Sequence, residues 1–167
     1  GRPLFTGTFR ADGSSKFAPN NRWGYFPAGA FAWRLSEEPF MAVAKDWLSN
    51  LKFRLSYGTS GSDNINSNLW RETWSSLSSS SNHTPINGEL GSFYRPDGLL
   101  ANSDLKWETT ISRNLGLDFG IFKNRLTGTV DVYWNTTKDL LVPSIIPNSS
   151  GYSRQMTNVG RTSNRGV

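Results

Sequence analysis

Residues 114–134 read NLGLDFGIFKNRLTGTVDVYW, and this stretch decides the fold. Apolar and polar side chains alternate on both sides of the dipeptide Lys123-Asn124. Successive side chains of a β-strand point to opposite faces, so a period of two predicts strands with two unlike faces. Two such strands around a short polar turn predict a hairpin.

The same alternation recurs along the chain. Residues 105–122 and 125–142 are predicted to be two long strands, with shorter ones near 5–10, 25–36, 51–58 and 155–167. The long strands exceed the about 9–11 residues that cross a membrane, whereas soluble strands are most often about 5–6 residues long. Trp107 falls on the apolar face. Pro27 is expected to delay its strand or force a bulge, because proline cannot donate a ladder hydrogen bond.

The connections are of two kinds. Those at 12–24, 61–103 and 143–154 are long and polar, whereas 123–124 is minimal and 36–50 carries the one helical pattern. Compact soluble domains rarely hold a structureless loop of about forty residues, but outer-membrane barrels pair short periplasmic turns with long extracellular loops. With 123–124 periplasmic, strand parity makes the three long loops extracellular. Segment 36–50 is then a short periplasmic helix, with Ser36 as its expected N-cap.

Composition excludes several classes of function. The mean hydropathy of −0.49 and the lack of a long apolar run exclude a transmembrane helix but not a transmembrane barrel. With no cysteine and a single histidine, His83, we expect no disulfide, no metal site and no cofactor. The net charge of +5 comes from scattered arginines rather than a basic cluster, so nucleic acid is not an expected partner.

The alternation also assigns faces. The residues expected to face lipid are Leu115, Leu117, Phe119, Val130 and Val132. Asn114, Asp118, Thr129 and Asp131 are expected to face the lumen of the barrel. Asp118, Asp131 and Glu108 resemble a catalytic set of carboxylates, but lumen-facing polarity explains them, and we predict no enzyme and no catalytic residue.

Ordered blocks over most of the chain carry a family resemblance; only the loop at 61–103 lies outside them. The blocks are DGSSKF at 12–17, NRWGYFP at 21–27, AWRLSEE at 32–38, LSNLK at 48–52, SYG at 56–58, DLKWETT at 104–110, NLGLDFG at 114–120, DVYW at 131–134, KDLL at 138–141 and SGY at 150–152. Together they resemble the SusC/RagA family of TonB-dependent outer-membrane transporters.

The resemblance implies an all-β fold, an antiparallel transmembrane barrel of about 22 strands. Residues 1–167 would supply about six of these strands, with the plug domain and the remaining strands absent. It further implies location in the cell outer membrane and import of glycans or peptides. The implied partners are a SusD-like lipoprotein lid, the TonB complex acting through the missing plug, outer-membrane lipid and the cargo itself.

The longest loop holds the candidate binding residues. Aromatic faces stack on sugar rings and arginine forks bind hydroxyls or carboxylates, so the loop composition suits contact with cargo or lid. Packing of the loop on itself is the alternative. The candidates are Trp70, Arg71, Trp74, Phe93, Tyr94 and Arg95.

Two other classes of protein remain open from the residues alone. A secreted carbohydrate-binding β-sandwich would use its tryptophans as sugar platforms, and a surface adhesin would have no transport role. Strand length favours the barrel over both.

Overall fold

The computed structural model describes residues 3–77 and 93–167. Most of the strands in this part of the chain belong to one antiparallel six-stranded sheet with the order β1-β2-β3-β7-β8-β11. Its strands are β1 (Leu4–Gly13), β2 (Trp23–Arg34), β3 (Leu48–Ser62), β7 (Glu108–Ile121), β8 (Leu126–Lys138) and β11 (Arg161–Gly166). The remaining strands are β4 (Trp74–Leu77), β5 (Phe93–Pro96), β6 (Leu99–Leu100), β9 (Leu141–Ile145) and β10 (Arg154–Asn158).

The antiparallel order gives the sheet two different ends. The connections 14–22, 63–107 and 139–160 leave and re-enter the sheet at one end, called the loop end below, and 35–47 and 122–125 lie at the other, the turn end. The prediction that the connections near 12–24, 61–103 and 143–154 share one end of the sheet is confirmed. No helix within the described residues has the length and apolarity needed to cross a membrane.

The tight turn is longer than predicted. Ile121 pairs with Leu126, so the turn spans 122–125 rather than 123–124. Phe122, Lys123 and Asn124 all have left-handed backbone, with φ of 52°, 56° and 60°. That conformation is uncommon outside glycine, and three in succession reverse the chain without glycine.

The segment between β2 and β3 corrects the predicted helix. It forms two short 3₁₀ helices, Leu35–Glu37 and Pro39–Ala44, instead of one α-helix. The N-cap positions are Arg34 and Glu38, and neither makes a side-chain cap hydrogen bond, so the prediction of Ser36 as N-cap is wrong. Pro39 explains the division, because the residue before a proline is driven out of helical conformation.

Two strand predictions need correction. Residues 155–167 form two strands, β10 and β11, separated at Gly160, whose φ is +91°. Residues 125–142 likewise divide at Asp139, with φ of +58°, and the chain beyond it leaves the main sheet as β9. Gly160 and Asp139 both take the left-handed backbone, which breaks a strand.

Pro27 neither delays β2 nor creates a bulge in the β1–β2 ladder, where it pairs in register with Phe9. Its effect falls on the other side of β2. Pairing between β2 and β3 ends at Ala28 and Gly58, and beyond it the Thr59 hydroxyl donates to the Pro27 carbonyl at 3.0 Å. A side-chain hydrogen bond therefore replaces the ladder where proline interrupts it.

The buried core of the described residues lies at the loop end, not between sheets. Phe17 and Leu105 are fully buried and Ile65 is 8% exposed. Phe17 lies in connection 14–22, whereas Ile65 and Leu105 lie near the two ends of connection 63–107. These three residues, called the loop core below, therefore join connection 14–22 to both ends of connection 63–107. Leu69, Trp107, Leu141 and Met156 pack against it.

Trp107 belongs to this loop core and not to the apolar face of the sheet. Strand β7 begins only at Glu108, so the alternation does not reach back to Trp107. The Trp107 ring packs 5.4 Å from the Phe17 ring and 5.6 Å from the Phe26 ring, measured between centroids. Its indole N–H donates to the Arg22 carbonyl at 3.2 Å. The prediction that Trp107 lies on the apolar face is therefore wrong.

Gly61 of β3 lies directly against the Phe26 ring, which packs on Trp107 beside the loop core. A Cβ at Gly61 would lie 2.0 Å from Cζ of Phe26, which is 5% exposed and held by Trp107. We expect Gly61→Ala to destabilise the protein by about 1–3 kcal/mol, the usual cost of overpacking. The measurement is a denaturant titration of the intact protein in lipid vesicles.

Gly58→Ala is the matched control on the same strand. Its added Cβ would meet only Ala28 Cβ, at an ordinary 3.4 Å, and should cost little. Phe26→Leu should relieve much of the Gly61→Ala penalty. Equal costs for the two glycine variants would show that the Phe26 contact is unimportant.

Candidate functional site

One face of the six-stranded sheet is apolar. Register places side chains of four strands in rows: Phe31 with Leu55, Leu115 and Val132, then Trp33 with Phe53, Leu117 and Val130. No second sheet covers this face among the described residues, and Leu55 and Val130 are 44% and 46% exposed. The structure therefore brings together the residues predicted to share a face.

Phe119 continues the apolar face next to a glycine. It pairs with Gly128, and a Cβ there would lie 2.5 Å from the end of the Phe119 ring. The ring lies over the space beside Gly128, which keeps this part of the face continuous.

Arg113 is the one charged exception among residues 111–121 on this face. Its guanidinium lies 5.9 Å from the ring centre of Tyr57, its register partner on β3. A cation over an aromatic ring is stabilised by the ring quadrupole. The long arginine stem can also lie along an apolar surface while its charged head reaches water.

The opposite face carries an ion-pair ladder across three strands. Arg54 on β3 donates to both Asp118 oxygens at 2.9 and 3.0 Å, and its Nη2 also lies 3.1 Å from Asp131 Oδ1. Thr129 Oγ1 donates to Asp118 at 3.1 Å. These carboxylates are bound in ion pairs, which fixes the register of β3, β7 and β8 on this face.

Gly116 makes the ladder possible. It lies between Arg54 and Asp131 in register, and a Cβ there would lie 2.6 Å from Asp131 Oδ1 and 2.8 Å from Arg54 Nη2. The arginine therefore crosses the middle strand over a residue without a side chain.

The candidate set of three carboxylates does not converge. Glu108 lies at the loop end, where its Oε2 accepts a hydrogen bond from the Leu141 N–H at 3.2 Å. Asp118 and Asp131 share the same guanidinium near the turn end. No three His, Asp or Glu side chains in the described ranges are grouped as metal ligands would be.

Small and polar side chains make the rest of this face concave. The depression has a volume of about 480 Å³. Its lining includes Thr6, Ala28, Ser56, Ser112, Asn114 and Asn135. Hydroxyl and amide groups on a recessed surface suit water or a polar neighbour rather than lipid.

The six loop candidates do not form one cluster. β4 and β5 pair with Trp74 opposite Pro96 and Ser76 opposite Tyr94, so Trp74 and Tyr94 share one face of this hairpin. They are 58% and 64% exposed. Arg95 pairs with Ser75 and lies on the other face. Phe93 pairs with Leu77, and its side chain lies outside the described set.

Trp70 and Arg71 form a separate pair. The Arg71 guanidinium lies 5.9 Å from the Trp70 ring centre. The Trp70 indole nitrogen is buried and has no hydrogen-bond partner. Burial of this nitrogen and the half-buried state of Trp70 indicate packing within the loop, whereas Trp74 and Tyr94 are exposed.

Direct contacts join two of the long loops. β6 from connection 63–107 pairs in parallel with β10 from connection 139–160, and β10 also pairs with β9. The Tyr152 hydroxyl donates to Glu72 Oε1 at 2.5 Å, and this bond raises the pKa of Tyr152. Hydrogen bonds from Thr73 and Ser75 lower the pKa of Asp97 in the β4–β5 hairpin. The strand pairing and the Tyr152–Glu72 hydrogen bond therefore join these two loops into one assembly.

Sequence reasoning missed the residues that hold this assembly together. Phe17 stands alone in a polar loop and Leu105 was taken for strand, so neither signalled a core. Both are flanked by polar side chains at 14–16 and 102–104. An isolated apolar residue among polar loop residues was the only available signal.

A single antiparallel sheet, apolar on one face and polar on the other, defines the class of protein. The two longest connections, 63–107 and 139–160, lie at one end and the tight turn 122–125 lies at the other, as in an outer-membrane β-barrel. The TonB dependent receptor-like β-barrel family matches residues 2–167, and the chain belongs to this family. Receptors of this family are outer-membrane barrels, so the predicted fold class and location are confirmed.

Individual relatives agree with the family assignment. The chain is 40% identical over 167 residues to the TonB-dependent receptor SusC of Bacteroides thetaiotaomicron, covering 99% of this chain and 16% of that protein. It is 37% identical to the TonB-dependent receptor P3 of Formosa agariphila, covering 98% of this chain and 16% of that protein. The chain thus spans about a sixth of the length of these curated relatives.

Solved structures show the same fold. The RagAB peptide importer in its open-open state matches with a TM-score of 0.79 and 30% identity, covering 98% of this chain and 17% of that chain. Its closed-closed state matches with a TM-score of 0.78. The resemblance to SusC and RagA is confirmed, the β-sandwich and adhesin alternatives are not supported, and these relatives are receptors rather than enzymes.

Proposed function

We propose that this chain is part of the barrel wall of a TonB-dependent outer-membrane importer of glycans or peptides. The observation that carries the proposal is the two-faced sheet, with an exposed apolar face opposite an ion-pair ladder. β3, β7 and β8 have 15, 14 and 13 residues, enough to cross the bilayer at the usual tilt. Relatives that carry TonB-dependent receptor names support the transport role.

In this arrangement the apolar face meets lipid and the ladder faces the lumen. The lumen set comprises Asn114, Asp118, Thr129 and Asp131. The lipid-facing set is Leu115, Leu117, Phe119, Val130 and Val132. Charged groups are costly in hydrocarbon, which is why the ladder can lie only on the inner side.

The loop end is extracellular and the turn end periplasmic. A SusD-like lipoprotein acts as the lid over the extracellular end, and the TonB complex acts through a plug domain. The structural match to the RagAB importer supports a partner protein. The joined loops offer such a partner an ordered surface.

Within the loops, Trp74 and Tyr94 are the residues that contact cargo or lid. They are exposed on one face of the β4–β5 hairpin, and aromatic side chains of this kind supply most of the energy of many interfaces. Trp70 and Arg71 contribute by packing the loop. Arg95, on the other face of the hairpin, serves as a comparison residue.

The test is the double variant Trp74→Ala/Tyr94→Ala in the intact receptor. Removal of two exposed aromatic anchors should weaken binding of cargo or of a lid lipoprotein by at least about tenfold, since about 1.4 kcal/mol corresponds to that factor. Cargo uptake and lid co-purification are measured, with receptor abundance in the outer membrane as the reference.

Arg95→Ala is the control, because it changes the opposite face of the same hairpin. Replacement of residues 69–95 by a Gly/Ser linker is the broader variant, and it also removes Glu72, the partner of Tyr152. Wild-type uptake and wild-type lid binding in the double variant would show that these aromatics have no contact role.

A further inference from the structure

The turn end carries an exposed apolar surface that the strands do not account for. It belongs to the rim segment, residues 35–47, which follows β2 and includes the 3₁₀ helices Leu35–Glu37 and Pro39–Ala44. Phe40 is 64% exposed, Val43 92% and Trp47 53%, and Phe122 of the neighbouring turn is 59% exposed. Side chains of this size rarely remain exposed together without a partner surface.

Contacts with Trp33 place the rim segment on the outer side of the sheet. Trp33 lies in an apolar row with Phe53, Leu117 and Val130. The Phe40 ring packs edge-on against Trp33, with centroids 6.4 Å apart, and the Trp33 indole N–H donates to Glu38 at 2.9 Å. Phe40 is therefore continuous with the apolar face.

The inner side of the same segment is polar. Arg34, Ser36, Glu37 and Lys45 line a groove of about 880 Å³ together with Asn50 and Asn124. Arg34 and Glu37 form an ion pair at 2.6 Å. The rim segment thus divides into a polar side toward the lumen groove and an apolar side toward the outer face of the barrel.

We propose that the rim segment inserts its apolar side, led by Phe40 and Val43, into the phospholipid headgroup region of the periplasmic leaflet. This inference rests on the proposed lipid contact of the sheet, which it extends beyond the strands to a non-strand anchor. The occupant is phospholipid because the surface continues the apolar face, whereas the side of the segment that lines the groove is polar. Interfacial segments of this type bury an apolar side about 5–10 Å deep at the boundary between headgroups and acyl chains.

The test uses the intact receptor, made cysteine-free, in nanodiscs that contain phospholipids brominated at chosen depths. A bimane fluorophore is attached at Val43→Cys, at Lys45→Cys and at Val130→Cys. The cysteine at residue 43 replaces a side chain that packs against almost nothing, so folding should be unaffected. Lys45 is two residues away on the groove side, and Val130 reports the sheet.

We expect the label at residue 43 to lose fluorescence with bromines near the headgroups, and the label at 45 to lose little. The label at 130 should be quenched by deep bromines. If the label at residue 43 is quenched as little as the label at 45 while the label at 130 is quenched, the rim segment is not in the membrane and the inference is wrong. If 130 is also unquenched, the lipid contact in the proposed function is itself wrong. Quenching at 43 that appears only after plug removal would identify the plug as the occupant and overturn the proposal.

Discussion

Val130→Arg is expected to destabilise the intact receptor in a bilayer by about 2–4 kcal/mol, because it places a charge at the middle of the lipid face. Val130 is 46% exposed, and its row partners Leu117 and Phe53 are apolar. No acidic side chain shares that row to neutralise the arginine. The free energy of unfolding is measured by denaturant titration of the receptor folded into lipid vesicles.

Thr129→Arg is the matched control, one residue away on the opposite face. Thr129 donates to Asp118, so an arginine there finds a carboxylate and water instead of hydrocarbon. Its cost should be far smaller than that of Val130→Arg. Equal losses for the two variants would contradict the assignment of lipid and lumen faces.

Leu105→Ala is expected to cost about 2–5 kcal/mol of local stability at the loop end, the usual range for a buried leucine. Leu105 is fully buried in the loop core, where Phe17 and Ile65 also contribute. Loss of the Leu105 side chain leaves a cavity between connections 14–22 and 63–107, against which Leu141 and Met156 also pack. Since the strands are joined by their own backbone hydrogen bonds, the loss should appear mainly as faster hydrogen exchange at 63–70 and 139–158, with amides near the turn end of the sheet unchanged.

Leu99→Ala provides the control for this second variant. Leu99 lies in β6 of the same loop assembly but is 38% exposed, so its removal should change exchange little. Phe17→Ala should reproduce the Leu105 effect at about 3–5 kcal/mol, because it opens the same core. Unchanged loop exchange in Leu105→Ala would show that the core does not hold the loops together.

The main sheet was predictable because its faces are determined residue by residue. A strand with one apolar face and one polar face must alternate, and residues 115–132 show this alternation directly in the sequence. Strand parity then placed the long loops together. Neither inference needed knowledge of which distant residues meet.

Errors arose where a local rule was extended past the end of an element. The alternation in β7 was continued back to Trp107, but a ring already packed against Phe17 and Phe26 cannot also face outward. Ser36 has the composition of a helix cap, yet Pro39 divides the segment before an α-helix can form. In both cases a tertiary contact or a backbone restriction overrode the pattern.

Local sequence patterns could not predict the contacts within the loop assembly. The parallel pairing of β6 with β10 joins residues about 55 positions apart, and the Tyr152–Glu72 bond joins residues 80 positions apart. Composition alone assigned Trp70, Trp74 and Tyr94 to one group. Only the register of β4 with β5 shows that Trp74 and Tyr94 share a face while Trp70 packs elsewhere.

The measurement that tests the central claim most directly is a nitroxide scan of residues 126–134 in the intact, cysteine-free receptor embedded in a bilayer. Accessibility to oxygen, which concentrates in lipid, is compared with accessibility to a water-soluble nickel chelate. The two-faced barrel wall predicts oxygen maxima at even positions such as Val130 and Val132, with nickel maxima at Thr129 and Asp131. Accessibility without a period of two, or with the two phases exchanged, would contradict it.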